Sequence, residues 1–195
     1  GVNHNGNFDL AIQLIDLAKQ VDADAIKFQT AIPELVMTST AEKANYQEAL
    51  TGKGETQLEM AKKIHLPLED YQKLNNYCKE KKILFLSTPF DYKSVDYLHS
   101  LDMPIYKIPS GEITHLPYLR QIAKKQKPVI MSTGMATINE INDAMSILLI
   151  NGLTKDQISL LHCTTEYPCP YDDVNLNAMI TLKKEFNVAV GYSDH

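Results

Sequence analysis

The chain has 195 residues, 44% of them hydrophobic, with a formal net charge of -5 and a pI near 5.7. That size and apolar content suffice for one sizeable core, and the acidic balance argues against a nucleic-acid or anionic-membrane binder, because no broad basic surface is available. Cys78, Cys163 and Cys169 have neither the number nor the spacing of a disulfide framework or zinc knuckle, so free thiols in a reducing cytoplasm are expected. No apolar run approaches the ~18 residues of a membrane span, and the start, Gly-Val-Asn-His, carries no signal-peptide core.

Residues 1–7, GVNHNGN, are rich in turn formers and lead into an amphipathic helix on which Leu10, Leu14, Leu17, Ala18 and Val21 share helical spacing. Residues 24–30 read as a strand with Lys27 and Gln29 on one face and Ile26 and Phe28 on the other. A long connection, 31–66, follows, with a TGKGET segment and a short helix over 57–64; connections of this length in a compact domain usually serve as lids or binding loops. Residues 67–82 form a helix that opens on Pro and ends on lysines. It feeds the apolar run 83–86, of the kind buried on both faces in a parallel sheet, which ends in Ser87-Thr88-Pro89.

A helix over 92–101 leads to the strand Tyr106-Lys107-Ile108, which ends in Pro109-Ser110-Gly111-Glu112. This stretch delivers a cation, a hydroxyl and a carboxylate at one strand end, and alternation separates Lys107 from Tyr106 and Ile108. A helix over 116–126 precedes the strand 128–131 and the turn Ser132-Thr133-Gly134-Met135. Thr137 and Glu140 form a capping box for the next helix, which Gly152 ends. The strand from Ile158 runs into His162-Cys163-Thr164-Thr165-Glu166-Tyr167-Pro168, and a helix near 175–185 precedes the strand from Val188 to Tyr192.

Lys27, Ser87, Lys107, Ser132, His162 and Ser193 mark equivalent points on successive strands, at intervals of 60, 20, 25, 30 and 31 residues. Repeated βα units with polar chemistry at each strand's C-terminal end predict an α/β fold of the (βα)8 TIM-barrel type. A doubly wound open sheet is the alternative, but it gathers polar groups near one switch point. One domain over 1–195 is expected. Gly1 is an unusual natural start, and His195 closes the chain where a βα loop should open. Both ends are therefore expected to be cut, leaving out the start of the barrel's strand 1 and all of its strand 8.

Lys27 and Lys107, with the hydroxyls of Ser87, Thr88, Ser110, Ser132 and Thr133, are the parts of a phosphate or carboxylate cradle. His65, His99 and His115 lie on or beside helices and are assigned to the surface. His4, His162 and His195 sit at strand ends. His195, after an aspartate, suits a divalent metal, and His162 reads as a packed, hydrogen-bonded residue beneath the site.

GVNHNG, IKFQT, FLSTPFD, YKIPSGEIT, STGMAT, LHCTTEYPCPYDDVNL and GYSDH resemble, in order and spacing, the motifs of the phosphoenolpyruvate-dependent sialic acid synthases and related nonulosonate synthases. The resemblance covers nearly the whole chain. It implies a TIM barrel followed by a small antifreeze-like domain that this chain lacks, and a homodimer when full length. It also implies phosphoenolpyruvate binding by Lys27, Thr88, Lys107, Ser110, Ser132, Tyr167 and Ser193. Gln29, Glu112 and Tyr167 would face the acylamino sugar. Glu112 and His195 would be catalytic, with His195 one of two histidines on a Mn or Mg ion; the second histidine, and a glutamate from the barrel's strand 1, would lie outside the chain. Thr165 stands where the best-known bacterial sialic acid synthases carry Asn, and Asn45 is the candidate for their sugar-contacting Asn.

The implied reaction condenses phosphoenolpyruvate with N-acetylmannosamine to give N-acetylneuraminate and phosphate. The alternative acceptor, 2,4-diacetamido-2,4,6-trideoxymannose, would give N,N'-diacetyllegionaminate, and the HCTTEYP loop leaves it open. Two other classes compete. A Schiff-base aldolase with Lys107 or Lys27 as nucleophile needs a lysine in an apolar pocket, and a non-catalytic sugar-binding module has little use for a phosphate cradle.

Overall fold

The structure is a computed structural model that describes residues 1–43, 48, 52 and 54–195. Two compact units, Gly1–Met103 and Pro104–His195, are described separately. Asn45 lies outside the described residues.

In the first unit, α1 (Phe8–Gln20) starts where the Asn7 side chain accepts from Leu10 N at 2.9 Å, satisfying one of the helix's orphan donors. Strand β1 (Ala25–Thr30) pairs in parallel with β2 (Leu84–Pro89), Lys27 opposite Leu86 and Gln29 opposite Thr88. β2 is longer than the apolar run alone indicates, because the parallel ladder continues through Ser87, Thr88 and Pro89. Helices α2 (Pro33–Val36) and α3 (Gln57–Ile64) occupy the long connection. α3 carries a capping box between Thr56 and Glu59. α4 (Leu68–Lys81) ends at Lys82, whose left-handed backbone stops the helix.

Asp91 caps α5 (Tyr92–Ser100), accepting from Ser94 N at 2.9 Å and Ser94 Oγ at 2.6 Å. Its other contact, from Ile32 N at 2.9 Å, ties the start of the long connection to the end of β2. The core gathers Ala11 and Ile15 of α1, Phe28 of β1, Leu74 and Cys78 of α4, and Val95 and Leu98 of α5. Each large aliphatic side chain so buried contributes about 1.5–3 kcal/mol.

The second unit is a four-stranded parallel sheet in sequential order: β3 (Tyr106–Ile108), β4 (Val129–Ser132), β5 (Ile158–His162) and β6 (Ala189–Tyr192). The connections carry α6 (Leu116–Ala123), α7 (Ile138–Ile150) and α8 (Asn177–Phe186). α6 stops three residues before the expected end. Gln126 adopts φ +54°, and its side-chain amide donates to Ala123 O at 2.8 Å and Asn151 O at 3.1 Å, closing the helix early. The Thr137–Glu140 capping box of α7 is formed on both sides. Tyr106, Ile108, Met131, Ile158 and Leu160 are all fully buried, so one face of this sheet is core. Among the described residues no helix is long and apolar enough to cross a membrane, and all three cysteines are free.

Candidate active site

Register sorts the strand-end residues by face. In the first unit Lys27, Gln29, Leu86 and Thr88 share one face of the β1–β2 pair, and Phe28, Thr30, Phe85 and Ser87 share the other. Phe28 stacks on Phe85 with ring centres 5.9 Å apart and meets His4 in a tilted contact at 6.0 Å. Ser87 therefore does not join Lys27 and Thr88. Its hydroxyl is fully buried and bonds Thr30 Oγ1 at 2.7 Å, a structural pair within the core layer. Thr88 is buried on the Lys27 face. The Lys27 side chain reaches solvent, yet protein crowds its ammonium closely enough for desolvation to hold its pKa below the ordinary lysine range.

In the second unit alternation places Lys107, Ile130, Ser132 and Leu161 on the face opposite the core. Lys107, 9% exposed, donates from Nζ to Ser132 Oγ at 2.6 Å and to Ile108 O at 3.0 Å. Beside it the Gly134 amide donates to Ser110 Oγ at 3.0 Å, and Cys163 Sγ lies 3.2 Å from the same oxygen. A Cβ on Gly134 would come within 2.8 Å of Thr165 Cγ2, 3.0 Å of Ser110 Oγ and 3.1 Å of Cys163 Sγ. The loops after β3, β4 and β5 thus meet at a residue where any side chain would press on all three. Thr133 Oγ1 donates to Leu161 O at 3.0 Å, so this hydroxyl serves the backbone. Sequence reading had not given Gly134 and Cys163 a role. Their signal is a Gly and a small thiol at strand ends, where loops must approach closely.

Glu112 closes the short turn Ser110–Glu112 and turns to His115, with Oε2 2.7 Å from Nδ1. A single 3₁₀ turn directs the carboxylate along the chain to the residue three positions on, so Lys107 and Glu112 do not meet through it. His115 and His99 are exposed as expected. His65 is half-buried rather than fully at the surface: it sits in the turn between α3 and α4, its buried Nδ1 has no hydrogen-bond partner among the described residues, and burial lowers its pKa. His4 is fully buried. Its Nδ1 accepts from Gly6 N at 3.2 Å, its Nε2 has no partner among the described residues, and desolvation, then nearby positive charge including His65, pushes its pKa down to about 4. His162 packs against Tyr192 at 5.8 Å, but its buried Nε2 makes no hydrogen bond among the described residues, in contrast to expectation.

At the end of β6, His195 Nδ1 lies 2.8 Å from the Thr164 carbonyl, which makes that nitrogen the donor and leaves the lone pair on Nε2. Nε2 is 3.4 Å from Ser193 Oγ, and the ring stacks on Tyr167 with centres 4.4 Å apart. Cys169 N donates to His195 O at 2.9 Å, and Ser193 N to His162 O at 2.9 Å. The second unit therefore brings together Lys107 with Ser132, Ser110 with Gly134 and Cys163, and Ser193, His195 and Tyr167. Among the described residues, no three His, Cys, Asp or Glu side chains cluster as a metal site. An imidazole oriented by a carbonyl through one nitrogen, with its other nitrogen carrying the lone pair, is the usual form of a metal-ligating histidine.

The chain is 50% identical over its whole length to an N,N'-diacetyllegionaminic acid synthase of Campylobacter jejuni and 46% identical to one of Legionella pneumophila. It spans 58% and 55% of their lengths. The crystal structure of an N-acetylneuraminic acid (sialic acid) synthetase from Leptospira borgpetersenii, solved with citrate, matches all of this chain and 62% of that one, with a TM-score of 0.85 at 33% identity. The parallel βα units are thus part of a (βα)8 barrel, as their spacing predicts. The NeuB family model covers residues 14–195, and the chain therefore belongs to the NeuB family, that of the sialic acid synthases and their relatives.

Proposed function

We propose that the protein condenses phosphoenolpyruvate with an N-acylamino sugar aldehyde to give a nine-carbon acidic sugar and phosphate. The observation that carries this reading is the buried Lys107 ammonium on Ser132 Oγ, beside a Ser110 hydroxyl already held by the Gly134 amide. A cation and a hydroxyl on one strand face, with a second oriented hydroxyl in the turn after β3, suit a small dianion. Ser110 accepts from Gly134 and shares a contact with Cys163 Sγ; with the thiol as donor there, the hydroxyl proton can go to a phosphate or carboxylate oxygen. Lys27 and Thr88, Ser193 and Tyr167 are proposed as further phosphoenolpyruvate ligands, and Gln29, Glu112 and Tyr167 as the sugar's.

In the reaction, carbon 3 of the enol forms a bond to the aldehyde carbon, water adds to carbon 2, and phosphate leaves with cleavage of its C–O bond. Lys107 and the hydroxyls hold the dianion and receive the departing phosphate, and Glu112 orients water or moves a proton. His195 supplies one ligand for a Mn or Mg ion, which when bound polarises the aldehyde oxygen. Identities of 50% and 46% to two legionaminic acid synthases support 2,4-diacetamido-2,4,6-trideoxymannose as acceptor, with N-acetylmannosamine as the second reading on the strength of the Leptospira synthetase.

A panel of acylamino sugars offered to the full-length protein, read by phosphate release and by the mass of the acid formed, tests both. Phosphate release independent of any sugar, or a borohydride-trapped pyruvate adduct on Lys107 or Lys27, would overturn the proposal.

A further inference from the structure

A cleft of about 430 Å³ opens in the second unit between α7 and α8. His162 lines it, and His162 lies on the strand face opposite Lys107 and Ser132. The volume falls within the roughly 300–1,000 Å³ of small-molecule sites. Three observations give it a chemistry. The buried Nε2 of His162 has no hydrogen-bond partner, a condition native proteins usually relieve with a ligand or water. Asn175, Asn177 and Thr181 add neutral polar groups, against an apolar wall from Ile138, Ile141 and Leu182, and no Asp, Glu, Lys or Arg is in the lining. Met135, 76% exposed, holds a left-handed φ of +63° where it borders the cleft. Such backbone in a non-glycine residue gathers at functional positions.

We propose that this cleft is a second binding site, separate from the Lys107–Ser132 cradle, for a neutral acetamido sugar; the choice of sugar class rests on the function proposed above. A lining without cations gives a carboxylate or phosphate nothing to pair with, so phosphoenolpyruvate and the acidic product are not its ligands. An acetamido group matches both surfaces, its amide taking hydrogen bonds from His162 and the asparagines and its methyl packing on Ile138, Ile141 and Leu182. The cleft also adjoins the cradle. Thr133, which follows Ser132, and Cys163, 3.2 Å from Ser110 Oγ, line it as well. Occupancy therefore alters the apparent KM for phosphoenolpyruvate.

Methyl-¹³C methionine NMR on the full-length protein tests this, with Met135 as reporter and the fully buried Met131 of β4 as control. N-acetylmannosamine should shift Met135 saturably, whereas mannosamine and N-acetylneuraminate should not. Ala178→Trp, which fills the cleft, should abolish the shift and leave kcat within about threefold. No shift, an equal shift from the acid, or loss of turnover together with the shift would overturn the proposal, the last by making the cleft part of the catalytic site. If Ala178→Trp does not melt cooperatively, Asn177→Leu at an exposed position replaces it, with the shift weakened at least severalfold or the proposal lost. Should the sugar panel release no phosphate, the function proposed above fails, and the Met135 shift and its loss on filling the cleft still decide this one.

Discussion

Lys107 and Ser132 meet at 2.6 Å across adjacent strands, because Lys107 pairs with Ile130 and Ser132 follows two residues later on the same face. Ser132→Ala removes one oxygen acceptor from a nearly buried ammonium. It should cost about 1–3 kcal/mol of stability and weaken phosphoenolpyruvate binding about tenfold or more. Lys107→Met should lose at least about a hundredfold in affinity with a smaller drop in melting temperature, since an apolar chain of similar length replaces a buried charge. Calorimetry and thermal melts on the same samples check both. A Lys107→Met protein that still binds phosphoenolpyruvate normally would remove Lys107 from the cradle.

Two glycines should differ in what they disturb. At Gly6 a Cβ would lie 2.2 Å from the Lys63 carbonyl, and φ is +71°, so Gly6→Ala meets both a backbone clash and strain and should prevent cooperative folding. At Gly134 the obstacles are side-chain atoms at 2.8–3.1 Å. Gly134→Ala should fold with a loss of about 1–3 kcal/mol and weaken phosphoenolpyruvate binding as Ser110 shifts. Denaturant titration with ligand-binding assays separates the two cases.

Much of this was legible in the sequence. Apolar runs, caps and turn residues placed the strands and helices, since each is a local signal. Face and direction at the site depend on non-local pairing. Ser87 and Thr88 are neighbours in sequence, and only the register with β1 reveals that Ser87 belongs with Thr30 in the core. Glu112 reads as a pocket carboxylate until the 3₁₀ turn turns it to His115. His65 was assigned to the surface because it ends a helix, whereas burial there is decided by the turn into α4.

Acid should destabilise the first unit through His4. Its pKa falls from 6.5 to about 4 on folding, so between those values the unfolded chain holds the proton and the native one does not. Stability then declines as pH drops from about 6.5 to 4, by at most roughly 1.4 kcal/mol per unit. His65, lowered in the same direction, adds to the slope. His4→Gln should flatten the pH dependence of the denaturation midpoint, and an unchanged slope would place its origin elsewhere.

His195→Ala should abolish turnover while leaving phosphoenolpyruvate affinity within about threefold, because the Lys107–Ser132 pair does not depend on this ring. It also removes the stack under Tyr167, so acceptor binding should weaken. A collapse of phosphoenolpyruvate affinity in this variant would instead make His195, or the ion it holds, a ligand of the phosphate.

The two-residue periodicity of the strands acts as a reading frame for the site. One amino acid inserted within β4 would present Met131 where Ser132 stands and break the bond to Lys107, and one deleted would bring Thr133 there in its place, although composition and hydropathy would hardly change. Length changes in the connections carry no such penalty, since loop closure grows costlier only slowly with length. The Lys107–Ser132 pair is therefore sensitive to single-residue insertions and deletions in its strands, while the loops around Glu112 and Tyr167 can change length at a smaller cost.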